Sequence, residues 1–240
     1  MSGARRRLAG LLATVGLVAS ASATQAGVLT FRIEDTSRLH LFLTDGQGRP
    51  LRSLRRTAEF AQVSRHRLVF AMNAGIYEPD LHPTGLAVED GRELAPINTR
   101  RGEGNFFASP NGVFYVGAAG AGIARTTSFA AAPPSRVRLA TQSGPVLLER
   151  GEMPAASVRA EPGSTARRLK RNAVCADRGV ATLVMVDDAV TLHDLALLLR
   201  DQVGCRNALY LDGAISQALD MRSGRIDEGV PLGPMLGVVE

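Results

Sequence analysis

The residues best placed for chemistry stand where short apolar runs stop. Ala208-Leu209-Tyr210-Leu211 ends in Asp212-Gly213, followed by Ser216 and Gln217. Such a run predicts a buried strand that delivers a carboxylate at its C-terminal end and then turns. Gly213 is expected to take a positive φ and let a ligand approach the backbone; an ordinary Asp-Gly turn is the plainer alternative. Upstream, Phe70-Ala71-Met72 ends in Asn73-Ala74-Gly75, and a third run ends in Gln142-Ser143-Gly144-Pro145. A fourth run begins at Arg171-Asn172. Polar groups on four strand ends, each beside a small residue or a turn, predict one pocket at one side of a sheet.

The elements that must carry these groups are legible from periodicity. Strands are expected over 28–34, 39–44, 67–72, 84–88, 137–142, 172–175, 180–186 and 208–211, and a hairpin about Ser109-Pro110-Asn111-Gly112. Residues 117–122 and 130–134 read as connectors, 154–168 as a surface loop, and Asp187-Asp188 as a solvated turn. A helix is expected over 51–63 with Ser53 as its cap, and a stronger one over 191–202. Thr191 and Asp194 make a capping box there, and Gly204 stops the helix. Strand 180–186, helix 191–202 and strand 208–211 suggest a crossover joining parallel strands. The expectation is one α+β domain over 27–240, with a mixed β-sheet core and few helices.

Composition narrows the class. The 240 residues are 45% hydrophobic and 21% charged, enough for one self-sufficient core. Residues 1–26 read as a signal peptide: Arg5–Arg7, an apolar run from Leu8 to Val18, then small residues for cleavage. An uncleaved anchor is the minor alternative, and no stable membrane span is expected after cleavage. Loss of the three arginines lowers the formal charge from +5 to +2, and no basic stripe with interleaved aromatics remains. Nucleic acid is therefore not an expected partner. Export implies a periplasmic or secreted protein, where Cys175 and Cys205 can bridge; in a reducing compartment they would stay thiols.

The run Met72-Asn73-Ala74-Gly75, with Pro79-Asp80 and Gly85-Leu86, resembles the start of the phosphodiester glycosidase family. The resemblance continues through Pro96-Ile97-Asn98-Thr99, Gly104-Asn105-Phe106-Phe107, Pro110–Tyr115, Gln142–Pro145, Arg171-Asn172 and Leu211-Asp212-Gly213. It covers roughly residues 67–220 in order, and the short exported bacterial members are the most similar. The chain departs from the family's glycine-richer stretch after Asp-Gly, carrying Ala214-Ile215-Ser216 instead.

The resemblance implies an exported hydrolase acting on a sugar phosphodiester or phosphorylated glycan. Phosphate is already a good leaving group, so holding the anion matters more than strong acid assistance. Arg171 is the candidate for that grip, since guanidinium matches phosphate; a surface arginine in a basic stretch is the alternative. Asp212 would activate water or face the cationic sugar carbon, and Glu78 is the candidate partner carboxylate, with Asp80 and His82 behind it. Asn73, Gly75, Gln142, Ser143, Gly144, Asn172, Gly213 and Ser216 would line the substrate. No cofactor is required and no zinc site is expected; Asp187-Asp188 or Asp212 with Asp220 are the oxygen ligands a divalent cation would use. The rival from another class is a non-catalytic envelope-glycan binding module on the same scaffold.

Overall fold

The computed structural model describes residues 27–154 and 167–240. The leader expected over 1–26 and most of the loop expected over 154–168 lie outside them. In chain order the strands of the first half are β1 (Val28–Ile33), β2 (Leu39–Phe42), β3 (Leu68–Asn73), β4 (Ala87–Glu89), β5 (Arg92–Ala95), β6 (Gly112–Gly117) and β7 (Gly120–Arg125). The second half supplies β8 (Leu139–Ser143), β9 (Val146–Leu148), β10 (Leu169–Asp177), β11 (Val180–Val190), β12 (Ala208–Tyr210), β13 (Ala218–Asp220), β14 (Arg225–Ile226) and β15 (Met235–Val239). The α-helices are α1 (Leu54–Val63), α2 (Thr126–Ala131) and α3 (Leu192–Leu198).

These strands form three five-stranded sheets, ordered β1-β11-β10-β12-β9, β14-β13-β3-β15-β2 and β5-β4-β8-β6-β7. The chain is a single α+β domain with few helices, as the sequence implied. The sheets surround a shared core to which all three contribute: Met185 and Leu209 from the first, Phe70 and Leu236 from the second, Phe114 and Leu139 from the third. Each outer face has its own cover. Leu192, Leu195 and Leu199 of α3 and its continuation pack on the first sheet. Leu54 and Ala61 of α1 pack on the second, and Phe129 of α2 on the third. Period-two alternation feeds both faces: Val174 and Ala176 point to the shared core, Ala173 and Cys175 to the α3 side.

Local chemistry explains the helix boundaries. The Ser53 hydroxyl accepts from Arg56 N and caps α1. Thr191 and Asp194 form the reciprocal capping box of α3. The helix continues as a wider turn through Leu199–Val203 and stops at Gly204, which is left-handed at φ 79°.

Several expectations are corrected. The hydrogen-bonded pairings of the three sheets are antiparallel; β11 and β12 are each antiparallel to β10 and so run parallel to one another, joined through α3 as expected, but with β10 lying between them. The reason is the tight β10–β11 hairpin, with Arg178 at φ 48° and Gly179 at φ 82°, which places β10 beside β11 before α3 can return the chain. The hairpin expected about 109–112 is instead a short 3-10 turn, Asn105–Phe107, followed by a cis Ser109-Pro110 bond. Residues 120–125, within and beyond the expected connector, are β7, which closes the hairpin with β6. Asp187 and Asp188 belong to β11 rather than a turn, and the aspartate Asp187 is paired with Arg225 and Lys170. Cys175 and Cys205 are joined by a disulfide that ties β10 to the segment entering β12.

Candidate active site

Asp212 follows β12 and starts the 3-10 turn Gly213–Ile215. Three contacts fix it to the end of β3 and the segment after it. Asp212 N donates to Ala74 O at 3.1 Å, and Asn73 Nδ2 donates to Asp212 O at 2.6 Å. Asn73 Oδ1 in turn accepts from Gln217 N at 3.0 Å. Asn172 joins from β10, its Nδ2 donating to Asn73 O at 2.7 Å. Three of the four polar strand ends therefore meet: Asn73, Asn172 and Asp212.

The Asp212 carboxylate is largely buried, and this burial pushes its pKa up to about 6 against the opposing effect of the Ala214 amide. No Lys, Arg or His forms an ion pair with it among the described residues. Tyr77 is close enough to feel its charge. Burial, then the Asp212 charge, raises the phenol to about 12, and its hydroxyl donates to Pro231 O at 2.6 Å. A proton-exchanging carboxylate near neutrality, held by main-chain contacts, has the properties of a general acid or base.

Arg171 does not join this cluster on its exposed side. It alternates with Asn172 on β10, so the two side chains leave opposite faces. Arg171 is fully buried. Its Nε donates to Val190 O at 2.8 Å, one terminal nitrogen to the Tyr210 hydroxyl at 3.0 Å, the other to Arg167 O at 2.5 Å. The guanidinium also lies 5.4 Å from the Tyr210 ring centroid. The Tyr210 hydroxyl accepts a second hydrogen bond, from Gly213 N at 2.9 Å. Arg171 thus holds the turn after Asp212 from behind, through Tyr210. This differs from the expected grip on phosphate and corrects the alternative of a surface arginine.

Gln142 and Ser143 are split in the same way on β8. Gln142 turns outward and its amide is fully engaged: Oε1 accepts from Leu86 N and Asn98 N, and Nε2 donates to Asn98 O and Thr126 Oγ1. It organises a loop instead of lining the Asp212 cluster. Ser143 is fully buried, and its Oγ and the Asn172 Oδ1 have no hydrogen-bond partner among the described residues. Its period-two neighbour Thr141 accepts from Gly75 N at 3.1 Å.

The glycines are explained by close approach. A Cβ at Gly75 would lie 2.4 Å from Gln142 O, one at Gly144 2.7 Å from Asn111 Cβ, and one at Gly213 2.6 Å from the Tyr210 hydroxyl. Gly213 is not among the positive-φ glycines, so its requirement is space beside Tyr210 and not a left-handed turn. The Ser216 hydroxyl turns back to Lys170 O and Gly213 O. Glu78 is exposed on the loop after Gly75, where its amide donates to His82 O, and it lines a separate cleft with His82 and Arg100. Asp80 accepts from His82 N in that loop. Two of the four carboxylates named for a cation are paired with cations of the chain: Asp220 with Arg222, and Asp187 with Lys170 and Arg225. Among the described residues no three His, Cys, Asp or Glu gather as a ligand set.

Tyr210, Tyr77 and Thr141 were missed as parts of the site. Thr141 carries a usable signal, two residues from Ser143 on β8 and so on the same face as it.

The chain belongs to the phosphodiester glycosidase family, whose model matches residues 66–238. It is 33% identical over 163 residues to YigE of Escherichia coli (strain K12), a match covering 68% of this chain and 62% of that protein, which itself is uncharacterised. Its fold is shared with the zebrafish N-acetylglucosamine-1-phosphodiester alpha-N-acetylglucosaminidase catalytic domain, solved auto-inhibited by its pro-peptide. That likeness has a TM-score of 0.62 and 16% identity, over 91% of this chain and 85% of that one. A hypothetical protein from Synechocystis is similar at TM-score 0.47 and 16% identity, over 89% of this chain and 57% of that one.

Proposed function

We propose that the protein is an exported hydrolase that cleaves glycosyl phosphodiesters in envelope or extracellular glycans. The observation that carries this reading is Asp212: a carboxylate raised to about 6 by burial, with its main chain locked to Asn73 and Ala74, in a phosphodiester glycosidase chain. Ionised Asp212 takes a proton from water as the water oxygen bonds to the anomeric carbon. The bond from that carbon to the phosphate oxygen breaks, and its electron pair leaves with the phosphomonoester. Products are the free sugar and the phosphomonoester. The leaving phosphate requires little protonation, which suits a site with one raised carboxylate.

Among the described residues the buried Asn172 Oδ1 and Ser143 Oγ have unused hydrogen-bonding capacity. Such atoms cost about 1–3 kcal/mol when unpaired. Export is supported by the leader-like first 26 residues and by the Cys175–Cys205 disulfide, a bond that persists in oxidising compartments. Among the described residues no helix is long and apolar enough to cross a membrane.

The test is release of free sugar from a glycosyl phosphodiester by the purified protein. Asp212→Asn, kept folded by circular dichroism, should lose at least a hundredfold in kcat. Sugar release at the wild-type rate by this variant would overturn the reading.

A further inference from the structure

The chain leaves the first sheet at β12 and enters the second at β13, so the turn that carries Asp212 is the crossing between them. Arg171 and Tyr210 hold the entrance of that turn from behind. A different device holds its exit.

Four charged side chains from both sheets meet there. Lys170 of β10 and Asp187 of β11 come from the first sheet; Arg225 of β14 and Asp227, just after it, come from the second. Lys170 Nζ lies 2.8 Å from Asp187 Oδ1 and 3.2 Å from Asp227 Oδ2. Arg225 donates to both Asp187 oxygens at 2.8 Å and to the two Asp227 oxygens at 2.9 and 2.7 Å. The four form a closed ring of alternating sign. The Arg225 and Asp227 side chains are only 21% and 23% exposed, so salt and solvent screen them less than an open surface pair. Hydrogen bonding to Arg225, with Lys170 behind it, holds the Asp187 carboxyl down to about 2.

Asp227 also grips the main chain. Ala218 N donates to Asp227 Oδ2 at 3.0 Å, and Asp227 N donates to Ala218 O at 2.9 Å. Both main-chain polar groups of Ala218 are thus held by one residue. Ala218 directly follows Gln217, whose amide donates to Asn73 Oδ1. Lys170 meets the same turn from the first sheet: its main-chain oxygen accepts from the Ser216 hydroxyl at 3.3 Å.

We propose that Asp227, bridged by Lys170 to the first sheet, is a positioning residue for Asp212: the ion ring fixes the exit of the turn as Tyr210 fixes its entrance, and so sets how far water reaches the carboxylate. The effect on rate rests on the hydrolase reading above; the effect on the titration of Asp212 does not.

The sign of that titration effect separates positioning from charge. Burial raises the Asp212 pKa and the Ala214 amide opposes it; no charge of the ring is among the causes. The titratable groups that feel the Asp212 charge are Tyr77, from the segment after β3, and Tyr210 of β12, both neutral near pH 6. Removing the Lys170 ammonium would, by charge alone, raise the Asp212 pKa or leave it unchanged. Loosening the turn admits water and lowers it.

Lys170→Met keeps the stem and removes the charge. Carbon-13 NMR of the Asp212 carboxyl, assigned by its absence in Asp212→Asn, reads the titration without turnover. The midpoint should fall by at least half a unit in Lys170→Met and stay at the wild-type value in Lys170→Arg, with folding checked by circular dichroism. On a glycosyl phosphodiester, Lys170→Met and Asp227→Asn should each lose at least tenfold in kcat with KM within threefold of wild type, and Lys170→Arg should keep at least half of kcat. A midpoint that rises or stays in Lys170→Met overturns the positioning role, and so does a wild-type kcat in Asp227→Asn. If the wild-type protein turns over no glycosyl phosphodiester, the hydrolase reading fails, and the NMR midpoints alone decide the role of the ring.

Discussion

The side-chain amide of Asn73 donates to the main-chain carbonyl of Asp212 at 2.6 Å, across 139 positions of sequence. The same side chain accepts from Gln217 N with its oxygen, so one buried amide reads both ends of the turn that carries the carboxylate. Asn73→Ala removes both bonds and strands buried main-chain groups, at about 1–3 kcal/mol each. We expect a stability loss of that order and at least a tenfold fall in kcat. Asn73→Asp is the sharper variant. It keeps the acceptor for Gln217 N but adds a negative charge beside Asp212, so the pH inflection of kcat/KM should move upward. An unmoved inflection would separate Asn73 from the Asp212 titration.

Asp212 itself gives the wild-type pH dependence. A base must be ionised, so kcat/KM should rise with pH and level off above about 6. Stability runs the other way. The folded pKa is above the unfolded value, so the native state binds the proton more tightly and loses stability as pH rises between about 4 and 6. A shift of two units corresponds to about 3 kcal/mol at the upper limit. Asp212→Asn, which keeps an acceptor for the Ala214 amide, should therefore be more stable than wild type at pH 7.5 and equal to it at pH 4. Urea denaturation at the two pH values measures the difference.

What the sequence disclosed, and what it hid, follows from strand geometry. Asn73, Asn172 and Asp212 were readable as strand-end polar groups, and they meet. The α3 capping box was readable because its two partners are three residues apart. Arg171 and Gln142 were misplaced for one reason: each neighbours a residue that faces inward, and adjacent strand residues face opposite ways. Alternation allowed one of Arg171 and Asn172 into the site, and one of Gln142 and Ser143, but not which one. That choice was set by what lies behind each sheet, namely Val190 O and Tyr210 for Arg171, and Asn98 for Gln142. Such partners are far apart in sequence and leave no periodic trace. The parallel crossover from β11 through α3 to β12 was legible, but not the strand between its members: the tight hairpin at Arg178-Gly179 claims the space beside β11 for β10.

The Tyr210 hydroxyl couples Arg171 to Gly213, and its deletion is informative. Tyr210→Phe leaves the Gly213 amide and one Arg171 donor buried without that acceptor, at a cost of about 1–3 kcal/mol each. Burial with little change in shape should keep the fold. We expect kcat to fall with KM little changed, since the turn after Asp212 loosens while the sugar contacts remain. Arg171→Ala removes all the contacts of a fully buried guanidinium and should lower stability by about 3 kcal/mol or more. A phosphate-gripping arginine would instead show its loss in KM, with stability retained.

Close approach at Gly75 and Gly213 makes a contrasting pair. Ala at Gly75 places a methyl against the main-chain oxygen of Gln142, which cannot yield without moving β8. Ala at Gly213 meets the Tyr210 hydroxyl and ring, and that side chain can retreat only by giving up its bond to Gly213 N. Overpacking costs about 1–3 kcal/mol at either place. Combining Gly213→Ala with Tyr210→Phe should relieve part of the clash, so the double variant should be more stable than the sum of the singles predicts. Gly75→Ala, with no such partner, should add to Tyr210→Phe. A double-mutant cycle by thermal denaturation tests both statements.

The disulfide bears on the same turn from the other end of β12. Cys175 lies on β10, and Cys205 stands three residues before Ala208, where the strand that leads to Asp212 begins its pairing with Cys175 and its neighbours. The bridge spans 30 positions, and closing a loop of that length in the unfolded chain is worth ~3–4 kcal/mol in the chain-entropy account. Both half-cystines are buried under α3 with Leu195 and Tyr210, so Cys175→Ser with Cys205→Ser also places hydroxyls in an apolar layer. Cys175→Ala with Cys205→Ala avoids that and isolates the cross-link. We expect the alanine pair to lose several kcal/mol of stability and to retain most of its kcat at low temperature, because β10 and β12 remain paired at Ala173 and Tyr210. Wild-type protein treated with reductant should melt at the same temperature as the alanine pair. Melting that stays unchanged under reduction would show that the cross-link contributes nothing to the fold.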